Sequence, residues 1–103
     1  MFKLEEHKIF LLNKPVDMRK SFNGLQGLIV NEMKQNPRGL ALFVFFNKRR
    51  NYLKVLFWDR TGYCLISKKL ESSSFSLLNR GELEELTFDK LRLIFDGIKL
   101  GIK

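Results

Sequence analysis

Several residue types are scarce in this sequence, and each shortage excludes a class of protein. The chain of 103 residues has one cysteine, Cys64, so it cannot form an internal disulfide, and we expect it to work in a reducing compartment. The only histidine, His7, lies in a charged N-terminal stretch outside the expected strands, so we expect neither a histidine-based triad nor a zinc cluster. The longest apolar run, residues 40–46, is far shorter than the roughly 20 residues of a membrane-spanning helix.

Sequence signals for export and for catalysis are missing as well. Residues 1–6 carry acids where a secretory signal would be apolar, so we expect a cytoplasmic protein. Gly24 and Gly27 are not followed by the Lys-Ser/Thr pair of a Walker loop. The acids fit caps, turns or a polar C-terminal third, and Asp59 fits a turn, so we expect no carboxylate cluster around divalent ions. The sequence therefore predicts no enzyme, no cofactor, no metal and no small-molecule substrate.

What the sequence does contain is enough apolar material for one compact domain. Hydrophobic residues make up 45% and charged residues 29%, which is a globular composition at the length of a single domain. Ten phenylalanines supply large apolar area from few positions. We expect one domain over residues 1–103, with its core over roughly residues 8–98.

The hydrophobic pattern predicts an α+β fold with an antiparallel sheet of four or five strands. Three strands separated by turns of hairpin length form a central meander, at residues 41–47, 52–59 and 63–71. Gly62, in the second turn, suits a positive φ. Outer strands are expected at residues 8–13 and, briefly, at residues 82–86.

Cross-strand pairing assigns side chains to the two faces of the meander. With Trp58 opposite Tyr63 and Asn47 opposite Tyr52, one face is apolar and holds Leu42, Val44, Phe46, Val55, Phe57, Cys64 and Ile66. The other face interleaves rings with lysines and holds Phe43, Phe45, Tyr52, Lys54, Leu56, Trp58, Tyr63, Leu65, Ser67 and Lys69. The first face is the expected core.

One long helix and one short helix complete the predicted fold. The long helix spans roughly residues 18–35, with Asp17 as its N-cap and an apolar stripe made by Phe22, Leu25, Ile29 and Met33. Its internal Gly24 and Gly27 suggest tight packing on the sheet. The short helix begins after Thr87, ends at Gly97 and buries Leu91, Ile94 and Phe95.

The order of these pieces carries a resemblance to a known family. The matching segments are residues 17–25 (DMRKSFNGL), 42–56, 58–63 (WDRTGY), 68–71 (KKLE), Phe75 and residues 91–97. In this order they resemble the small accessory proteins, labelled TnpB, that are encoded beside a DDE-type transposase in one family of bacterial insertion sequences. That family is unrelated to the RNA-guided nucleases of the same label. One departure is the run of residues 76–78 (SLL), where the family often has a Trp-Pro pair.

The resemblance implies a role in transposition alongside the transposase and a second accessory protein. Independently, the charge pattern indicates a polyanion partner, because residues 38–69 carry eight basic side chains and one acid. The candidate DNA-binding residues of this stretch are Lys48, Arg49, Arg50, Lys54, Arg60, Lys68 and Lys69. Arg19 and Lys20 extend the set if the start of the long helix faces the same way. The alternative is that these are ordinary solvated turns.

Two functional hypotheses therefore follow from the sequence. The first is a non-catalytic accessory protein that binds DNA through its basic hairpin turns and helps to assemble the transposase complex. The second is a protein adaptor for the transposase, without DNA contact, whose anchors are Trp58 and Tyr63. These two rings form a stacking platform if exposed, but we favour their burial, for example beneath the C-terminal helix.

Overall fold

A five-stranded sheet with one helix on each face makes up the fold. The computed structural model describes residues 6–75 and 81–97. The elements follow one another as β1 (Lys8–Leu12), α1 (Phe22–Asn31), β2 (Ala41–Phe46), β3 (Tyr52–Asp59), β4 (Gly62–Lys69), β5 (Leu83–Leu86) and α2 (Phe88–Phe95). The predicted α+β class is confirmed, as are the five strands and a first helix longer than the second.

The sheet is mixed, with the strand order β4-β3-β2-β1-β5. The pairs β2–β3, β3–β4 and β1–β5 are antiparallel as predicted, whereas β1 and β2 run parallel. Residues 13–40 separate these two strands and contain α1, so the chain has room for the helical crossover that a parallel pair needs. The expectation of an antiparallel sheet therefore differs from the structure at this one pairing.

The predicted register of the meander is confirmed. Trp58 lies opposite Tyr63, and the Asn47 amide donates to the Tyr52 carbonyl at 3.1 Å. This register places the predicted apolar face under α2, where Leu91 and Ile94 pack on it. Cys64 is partly buried against the same cluster, which agrees with a packing role.

The other face of the sheet has a core of its own. Leu25 and Ile29 of α1 pack there with Met33, and all three side chains are almost fully buried. Their partners in the sheet are Leu12, Phe43, Phe45 and Leu56. The apolar sheet is thus covered on both sides, as a sheet with two apolar faces requires.

The first helix is shorter than the sequence suggested, and its start differs. Its N-cap is Ser21, whose side chain makes no cap hydrogen bond, so the assignment of Asp17 as N-cap is wrong. Asp17 instead belongs to a turn, in which the Lys20 amide donates to the Asp17 carbonyl at 3.0 Å. Because the helix begins at Phe22, that ring is 42% exposed and does not join the apolar stripe.

The second helix begins and ends where the sequence predicts. The Thr87 side chain accepts a hydrogen bond from the Lys90 amide at 3.1 Å, and Gly97 follows the helix with φ +77°. The departure from the family pattern at residues 76–78 and the tail from residue 98 onward lie outside the described residues.

Candidate nucleic-acid interface

The turn between β2 and β3 is a hairpin tip ordered by Asn47. The side-chain oxygen of Asn47 accepts from the amides of Asn51 and Tyr52, each at 3.0 Å, and its Nδ2 donates to the Asn51 side chain at 2.6 Å. These bonds fix the backbone that carries three successive cations, and Lys48 and Arg49 are exposed. Arg50 has φ +57°, and its guanidinium lies 5.7 Å from the Phe46 ring centroid.

The end of β4 brings two more cations to this tip. Lys69 and Lys68 pair with Tyr52 and Leu53 at the start of β3, so they stand beside the tip. Lys69 is exposed, while Lys68 points to the opposite face, where its Nζ lies 4.8 Å from the Phe95 ring centroid. Both faces of the sheet are therefore basic at this end.

The turn that precedes α1 reaches the same end of the sheet. The Val16 amide donates to the carbonyl of Phe46 at 2.8 Å, which fixes the turn beside the end of β2. Lys54 of β3 also binds this turn, since its Nζ donates to the carbonyls of Met18 and Lys20, each at 2.8 Å.

Lys54 thereby acquires a different role from the one that the sequence suggested. The residue is only 7% exposed, and the backbone of the turn accepts two hydrogen bonds from its Nζ. A buried ammonium group with two carbonyl partners is poorly placed to contact a phosphate, which argues against the predicted DNA contact of Lys54. Its charge still adds to the local potential.

Arg19 and Asp17 form a two-pronged ion pair on the surface of this turn. The Arg19 Nε lies 3.0 Å from Asp17 Oδ2, its Nη2 lies 2.6 Å from the same oxygen, and the Arg19 amide donates to Oδ1 at 2.9 Å. The hydrogen bonds from Arg19 lower the pKa of the Asp17 carboxyl to about 2. Arg19 is nevertheless 92% exposed and presents the rest of its guanidinium to solvent.

These three segments together define a basic corner of the sheet. Residues 16–20, 47–54 and 66–71 contain eight basic and two acidic side chains. With the buried Lys54 set aside, the basic corner consists of Arg19, Lys20, Lys48, Arg49, Arg50, Lys68 and Lys69. Its excess charge creates a positive potential that attracts phosphate oxygens and raises the rate of encounter with a polyanion.

Arg60 is the candidate that the structure does not bring to this corner. It lies in the turn between β3 and β4, at the other end of the eight-residue strand β3, about 25 Å from the first tip at a rise of about 3.3 Å per residue. Asp59 and Gly62 form the last pair of β3 and β4, so Arg60 takes the first central position of the turn between them, with φ +52°. The positive φ of this turn is therefore at Arg60, and the prediction that it lies at Gly62 is wrong.

Trp58 and Tyr63 lie near Arg60, on the face that α1 covers. They are half-buried and make an edge-to-face contact with their ring centroids 4.9 Å apart. The Arg38 guanidinium stands 4.6 Å from the Trp58 centroid. The predicted burial of these two rings beneath the C-terminal helix is wrong, because α2 packs on the opposite face of the sheet. The guanidinium of Arg38 already stacks on the Trp58 ring, which leaves less of that ring for a base.

Two residues that position the site were missed by the sequence interpretation. Asn47 and Asn51 order the tip, and the signal was present, since asparagine on either side of the three basic residues is typical of a side-chain-stabilised turn. The contact of Arg38 with Trp58 had no comparable local signal, because the two residues are far apart in the chain.

The described residues were also compared with the requirements of a metal site and of a membrane-spanning helix. In residues 6–75 and 81–97, no three His, Cys, Asp or Glu side chains come together as a group that could hold a metal ion. The same residues contain no helix long and apolar enough to cross a membrane.

Comparison with known proteins points to one family. The family model described as "IS66 Orf2 like protein" matches residues 7–102. Two uncharacterized proteins of Sinorhizobium fredii (strain NBRC 101917 / NGR234) are similar over 68 residues, or 66% of this chain: y4jC at 37% identity and y4hO at 32%. The match covers 58% and 59% of their respective lengths, so the chain spans less than two thirds of these relatives. No solved structure matches the chain.

Proposed function

The chain belongs to the IS66 Orf2-like family, which gives it an accessory role associated with transposition, and we propose that it fills this role as a non-catalytic DNA-binding protein. The proposal rests on the basic corner. Three segments of the chain bring their cations to the same end of the sheet, and seven of these side chains remain at least partly exposed.

The arrangement suits phosphate contact better than base reading. The cations stand on one hairpin turn, on the turn before α1 and at a strand end, and none of the described helices presents them as a recognition helix would. Lysine and arginine side chains of this kind neutralise phosphates and fix a protein on a duplex, but they carry little sequence information. We therefore expect the protein to bind duplexes of different sequence with similar affinity.

The partners of this role follow from the family. We propose that the protein, bound to DNA in the cytoplasm, helps to assemble a complex with the transposase and the second accessory protein of the same element. Sequence specificity would then come from those partners, while this chain contributes phosphate contacts.

The test is a titration of the protein with an insertion-end duplex and a random duplex over a range of salt concentrations. We expect the binding constant to fall with salt for both duplexes. The Lys48→Ala/Arg49→Ala variant should reduce the slope of log K against log salt by about 1.8, because each lost phosphate contact removes about 0.9.

The matched control removes two cations from the other end of the sheet. The Lys8→Ala/Arg60→Ala variant has the same net charge as the tip variant, and both of its residues are exposed. It should leave the slope nearly unchanged. Absence of binding, or equal losses of slope in the two variants, would contradict the proposal.

A second candidate function is an adaptor that contacts the transposase through Trp58 and Tyr63. The observation in its favour is that both rings are only half-buried and lie away from the basic corner. In a pull-down with the transposase, loss of capture by Trp58→Ala but not by Lys48→Ala/Arg49→Ala would favour this role over DNA binding. Circular dichroism of Trp58→Ala would verify that the variant is folded.

A further inference from the structure

Strand β4 offers an unused side to an extended peptide. It is the outer strand of the order β4-β3-β2-β1-β5 and runs for eight residues, Gly62–Lys69. Within the described residues, β3 is the only strand that pairs with it. The amides and carbonyls on the outer side of β4 can therefore pair with a further strand.

An apolar cavity lies directly beside this edge, between the sheet and α2. It has a volume of about 180 Å³, is open to solvent on one side, and is lined by Leu42, Val55 and Ile66 from the sheet and by Phe88, Leu91 and Phe95 from α2. A dry cavity of about 150 Å³ accommodates a benzene ring, so this one has room for a phenylalanine or leucine side chain. Ile66 connects the two features, since it belongs to β4, lines the cavity and is 36% exposed.

The basic residues around the free edge of β4 favour an acidic partner. Residues 59–71 carry Arg60, Lys68 and Lys69 against Asp59 and Glu71, which leaves a net positive charge. Arg92, which is 62% exposed and 3.7 Å from Asp89, completes the lining of the cavity. An incoming strand with acidic residues at its ends would meet a cation at each end of β4. Opposite charges across a strand pair stabilise it, and like charges destabilise it.

The same charges argue against a second copy of this chain as the occupant. If two β4 strands paired antiparallel, Arg60 of one copy would approach Lys68 and Lys69 of the other. If they paired parallel, the two lysine pairs would stand next to each other. Both arrangements place like charges together, so the edge is better matched to an acidic partner.

We propose that β4 and the adjacent cavity bind an extended, acidic segment of a partner protein, which adds a sixth strand to the sheet and inserts one apolar side chain beside Ile66. This surface does not depend on the DNA-binding role. Strand addition supplies affinity through main-chain hydrogen bonds, and the cavity supplies selectivity through one side chain.

The test uses synthetic peptides and the full chain. The probe is an acetylated nine-residue peptide with two glutamates at each end and the centre Thr-Val-Phe-Val-Thr, together with versions that have leucine or valine in place of phenylalanine. Fluorescence anisotropy should show binding that weakens at least tenfold when lysines replace the glutamates, and at least tenfold when serine replaces the central apolar residue. In amide hydrogen exchange, alternate amides of β4 should become protected.

Matched variants separate the cavity from the overall charge. Ile66→Asp should weaken peptide binding at least tenfold, whereas Ser67→Asp, which adds the same charge one position further along β4, should weaken it less than threefold. Both variants should give the circular dichroism spectrum and the cooperative thermal unfolding of the starting protein, which shows that they are folded.

Three outcomes would overturn the proposal. The first is that no acidic peptide of the panel binds better than its lysine version. The second is that the free protein sediments as a dimer which Ile66→Asp converts to a monomer, because the edge would then belong to a second copy. The third is that Ile98→Asp raises peptide affinity tenfold, which would assign the cavity to the chain's own last residues.

Discussion

At the scale of single residues, Lys54 shows how a cation in a basic stretch can serve the fold rather than a ligand. Its Nζ joins β3 to the turn before α1 by two hydrogen bonds of 2.8 Å. Those bonds position Lys20 and, next to it, Arg19 at the basic corner. Lys54 thus contributes to the proposed DNA site by holding other residues in place and through its charge, rather than by contacting a phosphate.

The first prediction concerns the substitution Lys54→Met. It leaves the carbonyls of Met18 and Lys20 without their partner, so we expect the free energy of unfolding to fall by about 1–3 kcal/mol. Urea unfolding followed by the fluorescence of Trp58, the one tryptophan of the chain, measures this change.

The control for this prediction is Lys69→Met on the same face of the sheet. Lys69 is exposed, so its replacement should change the free energy of unfolding by less than about 0.5 kcal/mol. Equal effects of the two substitutions would mean that the hydrogen bonds of Lys54 do not stabilise the turn.

At the scale of elements, α1 contains two glycines that the packing does not require. A Cβ added at Gly27 would meet no atom within 4 Å, and one added at Gly24 would meet only the flexible side chain of Lys20, at 3.1 Å. The sequence-based idea that both glycines allow close packing on the sheet is therefore wrong. The helix is buried through Leu25 and Ile29 instead.

The prediction for this element is that Gly27→Ala stabilises the protein. Alanine restricts the unfolded chain and costs no space, so we expect a gain of about 0.5–1 kcal/mol in the free energy of unfolding. Thermal unfolding followed by circular dichroism checks it. Gly97→Ala is the opposite case, because the φ of +77° disfavours a side chain and should lower stability. A gain at both positions would contradict the reasoning.

At the scale of the whole molecule, charge is unevenly distributed. The chain has a formal net charge of +8, and the basic corner concentrates cations at one end of the sheet. Near β1 and β5 the charges are instead paired, as Lys14 is with Glu32 at 2.5 Å and Lys90 with Glu84 at 2.9 Å. The free protein therefore carries repulsion at the corner that a bound polyanion would relieve.

This imbalance predicts that salt stabilises the free protein. Raising sodium chloride from about 10 mM to about 0.15 M shortens the Debye length from about 30 Å to about 8 Å. We expect the melting temperature to rise by about 2–4 °C, which corresponds to roughly 0.5 kcal/mol for a domain of this size. Scanning calorimetry in a phosphate-free buffer measures it.

The tip variant provides the comparison for the salt effect. Lys48→Ala/Arg49→Ala should show a smaller rise in melting temperature, while Lys8→Ala/Arg60→Ala should keep most of it. A melting temperature independent of salt, or equal rises in both variants, would show that the corner is not a centre of repulsion.

The sequence by itself determined the features that depend on local patterns. Apolar runs separated by turns of hairpin length specify strands β2 to β4, and the residues that pair next to each turn specify their register. Thr87 and Gly97 specify the ends of α2 for a similarly local reason. The ordered motifs were sufficient for the family resemblance, which the family match confirms.

Only the tertiary structure decided which distant residues meet. The parallel pairing of β1 with β2 depends on α1 crossing over one face of the sheet between them in the chain, although the length of residues 13–40 already indicated such a crossover. Lys54 and Lys69 share a face in the sequence pattern, yet the turn before α1 buries the first and leaves the second exposed. The basic turns on either side of β3 lie at opposite ends of the sheet, so Arg60 does not join the basic corner. Arg19 and Lys20 do join it, because the hydrogen bonds of Lys54 hold their turn there although the two segments are more than 30 residues apart in the chain.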